Sequence, residues 1–186
     1  MGQFDERNLS MVMDFYEMTM SNGYFKDRDQ DTRVAFDVFY RKNPDGGGYA
    51  IFAGLEQIVD YVQNLHFSEE DVEYLRGRKM FDEGFLDYLR TFRFHGDIWA
   101  IPEGTPIFPG EPVITVRAPA IEAQLLETYM LLEFNHQSLI ATKASRVCRA
   151  AEGRIVLEFG SRRAQGIAGA VTGARAAFIG GCAGTA

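Results

Sequence analysis

The chain has 186 residues, 46% of them hydrophobic and 13% aromatic, with a formal net charge of −7 and a pI near 5.0. That apolar content can bury a substantial core and excludes a disordered chain. The acidic balance, with no basic run, excludes a general nucleic-acid surface, which needs a footprint of Lys and Arg for phosphates. Two cysteines, Cys148 and Cys182, have neither C-x-x-C nor metal-ligand spacing, so the expectation is no disulfide framework, no zinc site and a reducing cytoplasm. The first eight residues are polar and charged rather than a signal sequence, and Glu6 stands where a myristoylation motif needs Ser or Thr.

Taken in chain order, residues 9–22 carry helical patterning that stops before Gly23, with Asn8 or Ser10 available as the cap. Residues 32–41 alternate as a strand does, with Val34, Phe36, Val38 and Tyr40 on one face and Ala35, Asp37, Phe39 and Arg41 on the other. The "NPDGGG" run at 43–48 predicts a turn, residues 49–53 a second strand and residues 55–65 an amphipathic helix. Ser68 followed by Asp71 predicts a capping box at the start of a further helix. Residues 96–119 hold most of the prolines between short apolar runs, the pattern of a small β-subdomain. Helical patterning resumes at 121 and continues to Gly153, with a break expected near Asn135 and His136. A strand at 155–159, a Gly/Ala-rich helix packed on a sheet and a strand at 177–181 complete a βαβ unit. The Gly169-x-x-x-Gly173 spacing does not make that helix a membrane span, because Arg175 and a glycine-rich second half interrupt it.

"LEFGSRRAQG", residues 157–166, places Arg162 and Arg163 at the C-terminal end of an apolar strand in an acidic chain. Two readings stand from these residues alone: surface arginines on a loop, or an anion site, since that edge of a helix-flanked sheet is where ligands bind. The histidines add little. His66 and His95 fall in polar stretches and carry no assignment, and His136 lies mid-helix, where a structural role is expected.

The runs "DFYEMTMSNGYF", "FYRKNP", "FAGLEQ", "PEGTPIFPGEPV", "EAQLLET", "ATKASR", "LEFGSRRAQG" and "GARAAFIGG", in that order, resemble the N-terminal part of nicotinate phosphoribosyltransferase. The resemblance spans nearly the whole chain and implies an α/β fold. Residues 1–119 would form an N-terminal α/β domain with the Pro/Gly-rich β-subdomain. Residues 120–186 would form a helical linker and the first βα units of an incomplete TIM-like barrel. The implied reaction joins nicotinate to phosphoribosyl pyrophosphate with ATP hydrolysis and Mg2+, giving nicotinate mononucleotide and pyrophosphate, in a cytoplasmic homodimer with shared sites and no membrane or nucleic-acid partner.

The resemblance also implies roles for particular residues. The pyridine ring would lie between Phe159 and Tyr16 of a second copy of the chain. Arg162 would contact the base and the ribosyl phosphate region, with Arg163 as its neighbour. Arg41 would reach pyrophosphate across the dimer, and Lys42 would do so less directionally. At Ala186, nicotinamide-specific relatives carry an aspartate that would repel nicotinate's carboxylate, so alanine points to the acid. The phosphate-accepting histidine and the arginine for nicotinate's carboxylate are expected beyond residue 186, and no metal ligand is assigned within the chain. The alternatives left open are a transferase for nicotinamide or another pyridine, and a non-catalytic truncated dimerising fragment.

Overall fold

The computed structural model describes residues 8–27 and 31–185. The α/β class holds: helices α1 (Phe15–Lys26), α2 (Leu55–Asn64), α3 (Glu69–Gly77), α4 (Glu83–Arg90), α5 (Ala120–Gln124), α6 (Glu127–Ala150) and α7 (Gly166–Ile179) alternate with short strands. The strands are β1 (Arg33–Phe39), β2 (Ala50–Ile51), β3 (Asp97–Ala100), β4 (Pro106–Ile107), β5 (Pro112–Pro119), β6 (Leu157–Glu158) and β7 (Gly184–Thr185). They form a three-stranded sheet of order β1-β5-β3 and the two-stranded pairs β2-β4 and β6-β7. None of the described helices is long and apolar enough to cross a membrane. Contacts divide the chain into two compact units, one of Met1–Phe36, Ile58–Trp99 and Thr115–Met130, the other of Asp37–Gln57, Ala100–Ile114 and Leu131–Ala186.

In the first unit, α1 begins six residues later than its pattern predicts. Asp14 holds an extended conformation as N-cap, and residues 9–12 make a turn closed by Val12 N–H donating to the Leu9 carbonyl at 2.9 Å. Gly23 lies inside the helix rather than ending it, since a helical glycine costs only about 1 kcal/mol and packing around buried Met18 and Ser21 outweighs that. The expected capping box is present: the Ser68 hydroxyl accepts from Asp71 N–H, and the Asp71 carboxylate accepts from Ser68 N–H at 2.8 Å. An aromatic core of Phe67, Phe85, Tyr88 and Phe92 fills the space among α3, α4 and the segments beside them. Tyr61 stacks on Tyr129 at 4.0 Å.

In the second unit, β2 pairs antiparallel with β4, Ala50 facing Ile107 and Ile51 facing Pro106. Side chains of α6 serve the other edge of β2. The Thr142 hydroxyl accepts from Ile51 N–H at 2.8 Å and the Ser138 hydroxyl from Ala53 N–H at 3.0 Å, so buried backbone donors are satisfied without a further strand. Gly54 follows at φ +106, and a Cβ there would sit 2.8 Å from the Glu133 carbonyl oxygen. Gly54→Ala is therefore expected to lower unfolding stability by about 2 kcal/mol, combining left-handed strain with a clash. A denaturant midpoint equal to that of the parent chain would contradict this close approach.

The helix break after residue 121 falls at Leu125 and Leu126, between α5 and α6, not at Asn135 and His136. Leu125 and Leu126 are both buried, so the two residues between the helices belong to the core. Asn135 and His136 stay helical, and the His136 ring lies beneath the glycines of α7, with Nε2 3.4 Å from the Gly169 carbonyl. The strand expected at 177–181 is helix instead: α7 runs through Phe178 to Ile179, because its alanine-rich stretch favours helix more strongly than two strand-forming residues oppose it. This helix packs on α6 rather than on a sheet alone. Gly173 sits where a Cβ would lie 3.1 Å from Ile140, and Gly180 rests against the Ala141 carbonyl.

The two cysteines, separated by 34 residues, come together in space. Their sulfurs lie 3.9 Å apart as free thiols, and burial followed by the hydrogen bond to Cys148 pushes the Cys182 thiol up to about 11.

Candidate functional site

β6 and β7 run parallel, with Leu157 opposite Gly184 and Glu158 opposite Thr185, and α7 connects them. This is a βαβ unit as expected, but its second strand is 184–185 rather than 177–181, which α7 occupies through Ile179. Glu158 fastens the end of β6: its carboxylate accepts from Gly160 N–H and, at 3.0 Å, from the Thr185 hydroxyl. The chain then tightens into a 3-10 turn at Ser161–Arg163, closed by Arg163 N–H donating to the Gly160 carbonyl at 2.8 Å.

α7 starts without a capping side chain and with no acidic residue in its first turn. Gly166 opens it at φ +88, a conformation that L side chains rarely adopt, which explains why a glycine closes "RRAQG". The uncapped N–H groups and the positive end of the helix dipole make this an anion-accepting terminus.

Arg162 and Arg163 project from this turn, both exposed, and make no side-chain hydrogen bond or ion pair with the described residues. Among the described residues Arg76, Arg90, Arg146 and Arg175 are held by carboxylates, whereas Arg41 and Arg149 share the unpaired state of Arg162 and Arg163. Phe159 lies just before this turn, between β6 and Gly160, and is 55% exposed. Here the expectation of a buried strand needs correction, since Ile155 is 81% and Leu157 52% exposed. A parallel strand is normally covered on both faces, whereas this pair has two strands and a helix.

The other candidates lie elsewhere. Arg41 follows the end of β1, exposed and unpaired among the described residues. Tyr16 stands in the first turn of α1, in the other compact unit, 46% exposed, with its hydroxyl donating to Glu127 Oε1 at 2.9 Å. That hydrogen bond, then burial and the nearby carboxylates, pushes its phenol up to about 12. Of the candidates, Arg162 and Arg163 lie on one turn and Phe159 just before it, after the end of β6. Ala186 lies outside the described residues.

Sequence reasoning missed the network that anchors α7. Glu103 Oε1 accepts from Gly54 N–H at 2.6 Å and Leu55 N–H at 2.9 Å, at the start of α2. Arg175 forks onto the same carboxylate, Nη1 at 2.9 Å from Oε1 and Nη2 at 2.6 Å from Oε2, while its Nε donates to Glu56 at 2.8 Å. Gln137 joins through its Oε1, 3.2 Å from Arg175 Nη1. Burial would raise the Glu103 carboxyl, but the Arg175 fork and the two backbone donors outweigh it and hold the group below the usual carboxylate range. One signal was available: Arg175 is the lone charge in a Gly/Ala-rich helix, and a half-buried arginine needs a partner.

Residues 11–135 match the sequence model of the nicotinate phosphoribosyltransferase (NAPRTase) N-terminal domain. The chain belongs to the nicotinate phosphoribosyltransferase family. A nicotinate phosphoribosyltransferase of Mycobacterium tuberculosis is 46% identical over 95% of this chain and 38% of its own length. That of Bacillus subtilis is 40% identical over 98% of this chain and 37% of its own. The crystal structure of human nicotinic acid phosphoribosyltransferase superposes with a TM-score of 0.87 at 33% identity, covering 93% of this chain and 35% of that one. The chain therefore spans between a third and two fifths of the length of these three relatives.

Proposed function

We propose that these 186 residues serve the transfer of a phosphoribosyl group to nicotinate in NAD salvage. The observation that carries this reading is the turn at 161–166, where two unpaired guanidinium groups stand beside an uncapped, acid-free helix N-terminus at the end of a parallel strand. In the reaction, the nicotinate ring nitrogen bonds to the anomeric carbon of phosphoribosyl pyrophosphate. The bond from that carbon to the pyrophosphate oxygen breaks, and pyrophosphate departs with the electron pair. Arg162 and the α7 N-terminus hold phosphate oxygens of the sugar substrate, with Arg163 adjacent, and fixed cationic groups need no reorganisation as charge shifts toward pyrophosphate.

Phe159 offers one face of the pyridine slot, Tyr16 from a second copy of the chain offers the other, and Arg41 from that copy reaches the pyrophosphate. ATP hydrolysis and Mg2+ belong to the same proposal. Among the described residues no three His, Cys, Asp or Glu converge as a metal cage, and Glu158 is already engaged at the turn. The exposed Ile155, Leu157, Ile167, Val171 and Phe178 fit coverage by further strands and helices of a barrel in a chain of the relatives' length. The free thiols are in keeping with a cytoplasmic setting.

Selectivity for the acid rests on Ala186. In a chain of the relatives' full length, Ala186→Asp is expected to lower kcat/KM for nicotinate by about a hundredfold or more while phosphoribosyl pyrophosphate affinity stays unchanged. Two like charges a few ångströms apart repel by about 4 kcal/mol at an effective dielectric near 20. Steady-state kinetics with nicotinate and nicotinamide test this, and unchanged nicotinate turnover would remove residue 186 from the base pocket.

A further inference from the structure

Tyr16 is unusual among the exposed aromatics because its tip is tethered while its ring is left open. Its hydroxyl donates to Glu127 Oε1 at 2.9 Å, and Glu127, the first residue of α6, is fixed in turn by Gln124 Nε2, which donates to Oε2 at 2.9 Å. Gln124 is buried, 5% exposed, so this carboxylate is held from the interior side. The next residue secures the helix that carries the tyrosine. Thr128 Oγ1 accepts from Asp14 N–H at 3.1 Å, and the buried Glu17 carboxylate accepts from the Thr128 N–H at 3.2 Å and from its hydroxyl. Residues 14, 16 and 17 are thus bound to 127 and 128, and what this anchorage leaves exposed is the aromatic ring of Tyr16, at 46%.

We propose that Glu127 is a positioning residue for the reaction, orienting Tyr16 so that its ring face is presented ready to stack on the pyridine. This rests on the reading that Tyr16 faces the base. A tyrosine ring has two torsions, and a hydrogen bond at its far end restricts both without covering either face, so less freedom is lost when a flat ligand stacks. The carboxylate also feeds electron density into the phenol. A richer ring face attracts an electron-poor pyridine and, more strongly, the pyridinium cation that forms as the ring nitrogen bonds to the sugar. The raised phenol keeps Tyr16 a neutral donor to Glu127 throughout the working pH range.

The test is a double-mutant cycle in a chain of the relatives' full length, with nicotinate and phosphoribosyl pyrophosphate kinetics read separately. Glu127→Ala and Tyr16→Phe are each expected to raise KM for nicotinate about threefold to tenfold, leaving KM for phosphoribosyl pyrophosphate within twofold. The double variant is expected to be no worse than either single one, because both remove the same tether. Glu127→Gln, which keeps an acceptor without the charge, is expected to recover part of the loss and guards against misfolding of the alanine variant. Effects that multiply in the double variant, or a Glu127→Ala enzyme with parental nicotinate kinetics beside an impaired Tyr16→Phe, would overturn the proposal. Tyr16→Ala with unchanged nicotinate kinetics would instead remove the reading that Tyr16 faces the base, and the proposal with it.

Discussion

Arg162→Ala, made in a chain of the relatives' full length, is expected to lower kcat/KM for phosphoribosyl pyrophosphate by about 10- to 150-fold. A charge-assisted hydrogen bond contributes about 1.5–3 kcal/mol, and about 1.4 kcal/mol corresponds to a factor of ten. Arg162→Lys keeps the charge but loses the planar fork, so an intermediate loss is expected. Neither change should disturb folding, because the Arg162 side chain is exposed and touches no described carboxylate, and such surface substitutions stay within about 0.5 kcal/mol. Substrate KM and thermal melting measured on the same preparations separate the two effects. A parental kcat/KM for phosphoribosyl pyrophosphate would show that the turn after β6 is not the phosphate site.

Glu103→Ala is expected to have the largest effect on stability, a loss of about 2–4 kcal/mol. It removes the forked acceptor of Arg175, which keeps only Glu56 and Gln137, and leaves the Gly54 and Leu55 N–H groups at the start of α2 without their acceptor. The estimate sits below that of a fully buried pair because the two side chains remain 19% and 26% exposed. Glu103→Gln, which can still accept, is expected to lose less. Since folding holds the Glu103 carboxyl below its usual range, its contribution is complete above the unfolded-state value and is lost as pH falls through the lower folded-state value. Denaturant unfolding of parent and variant at neutral pH and in acid checks both statements: their difference should shrink in acid, and a constant difference would assign the stabilisation to something other than this charge.

Local signals in the sequence specified local structure. The alternation at 32–41 locates β1, the Ser68 and Asp71 pair locates the start of α3, and the prolines at 96–119 mark the short strands β3, β4 and β5. Boundaries were set by burial instead. The kink at Leu125 and Leu126 has no breaker residue, and the extension of α7 to Ile179 runs against the strand preference of its last residues. At the candidate site, "SRRAQG" was legible because a turn glycine beside paired arginines in an acidic chain is a local oddity. The contacts that support it were not legible. Glu103 meets Arg175 across 72 residues, Tyr16 meets Glu127 across 111, and Cys148 meets Cys182 across 34, and no periodicity encodes such distances. Exposed Ile155 and Leu157 were misread because an apolar β-branched run is ordinarily core.

The most direct measurement follows labelled nicotinate into nucleotide, with phosphoribosyl pyrophosphate and ATP present, using a chain of the relatives' full length that carries these residues. Nicotinate mononucleotide forming together with pyrophosphate, and falling at least tenfold at subsaturating phosphoribosyl pyrophosphate when Arg162 is replaced by alanine, is the predicted result. No mononucleotide from nicotinate, or equal formation by the Arg162→Ala protein, would contradict it.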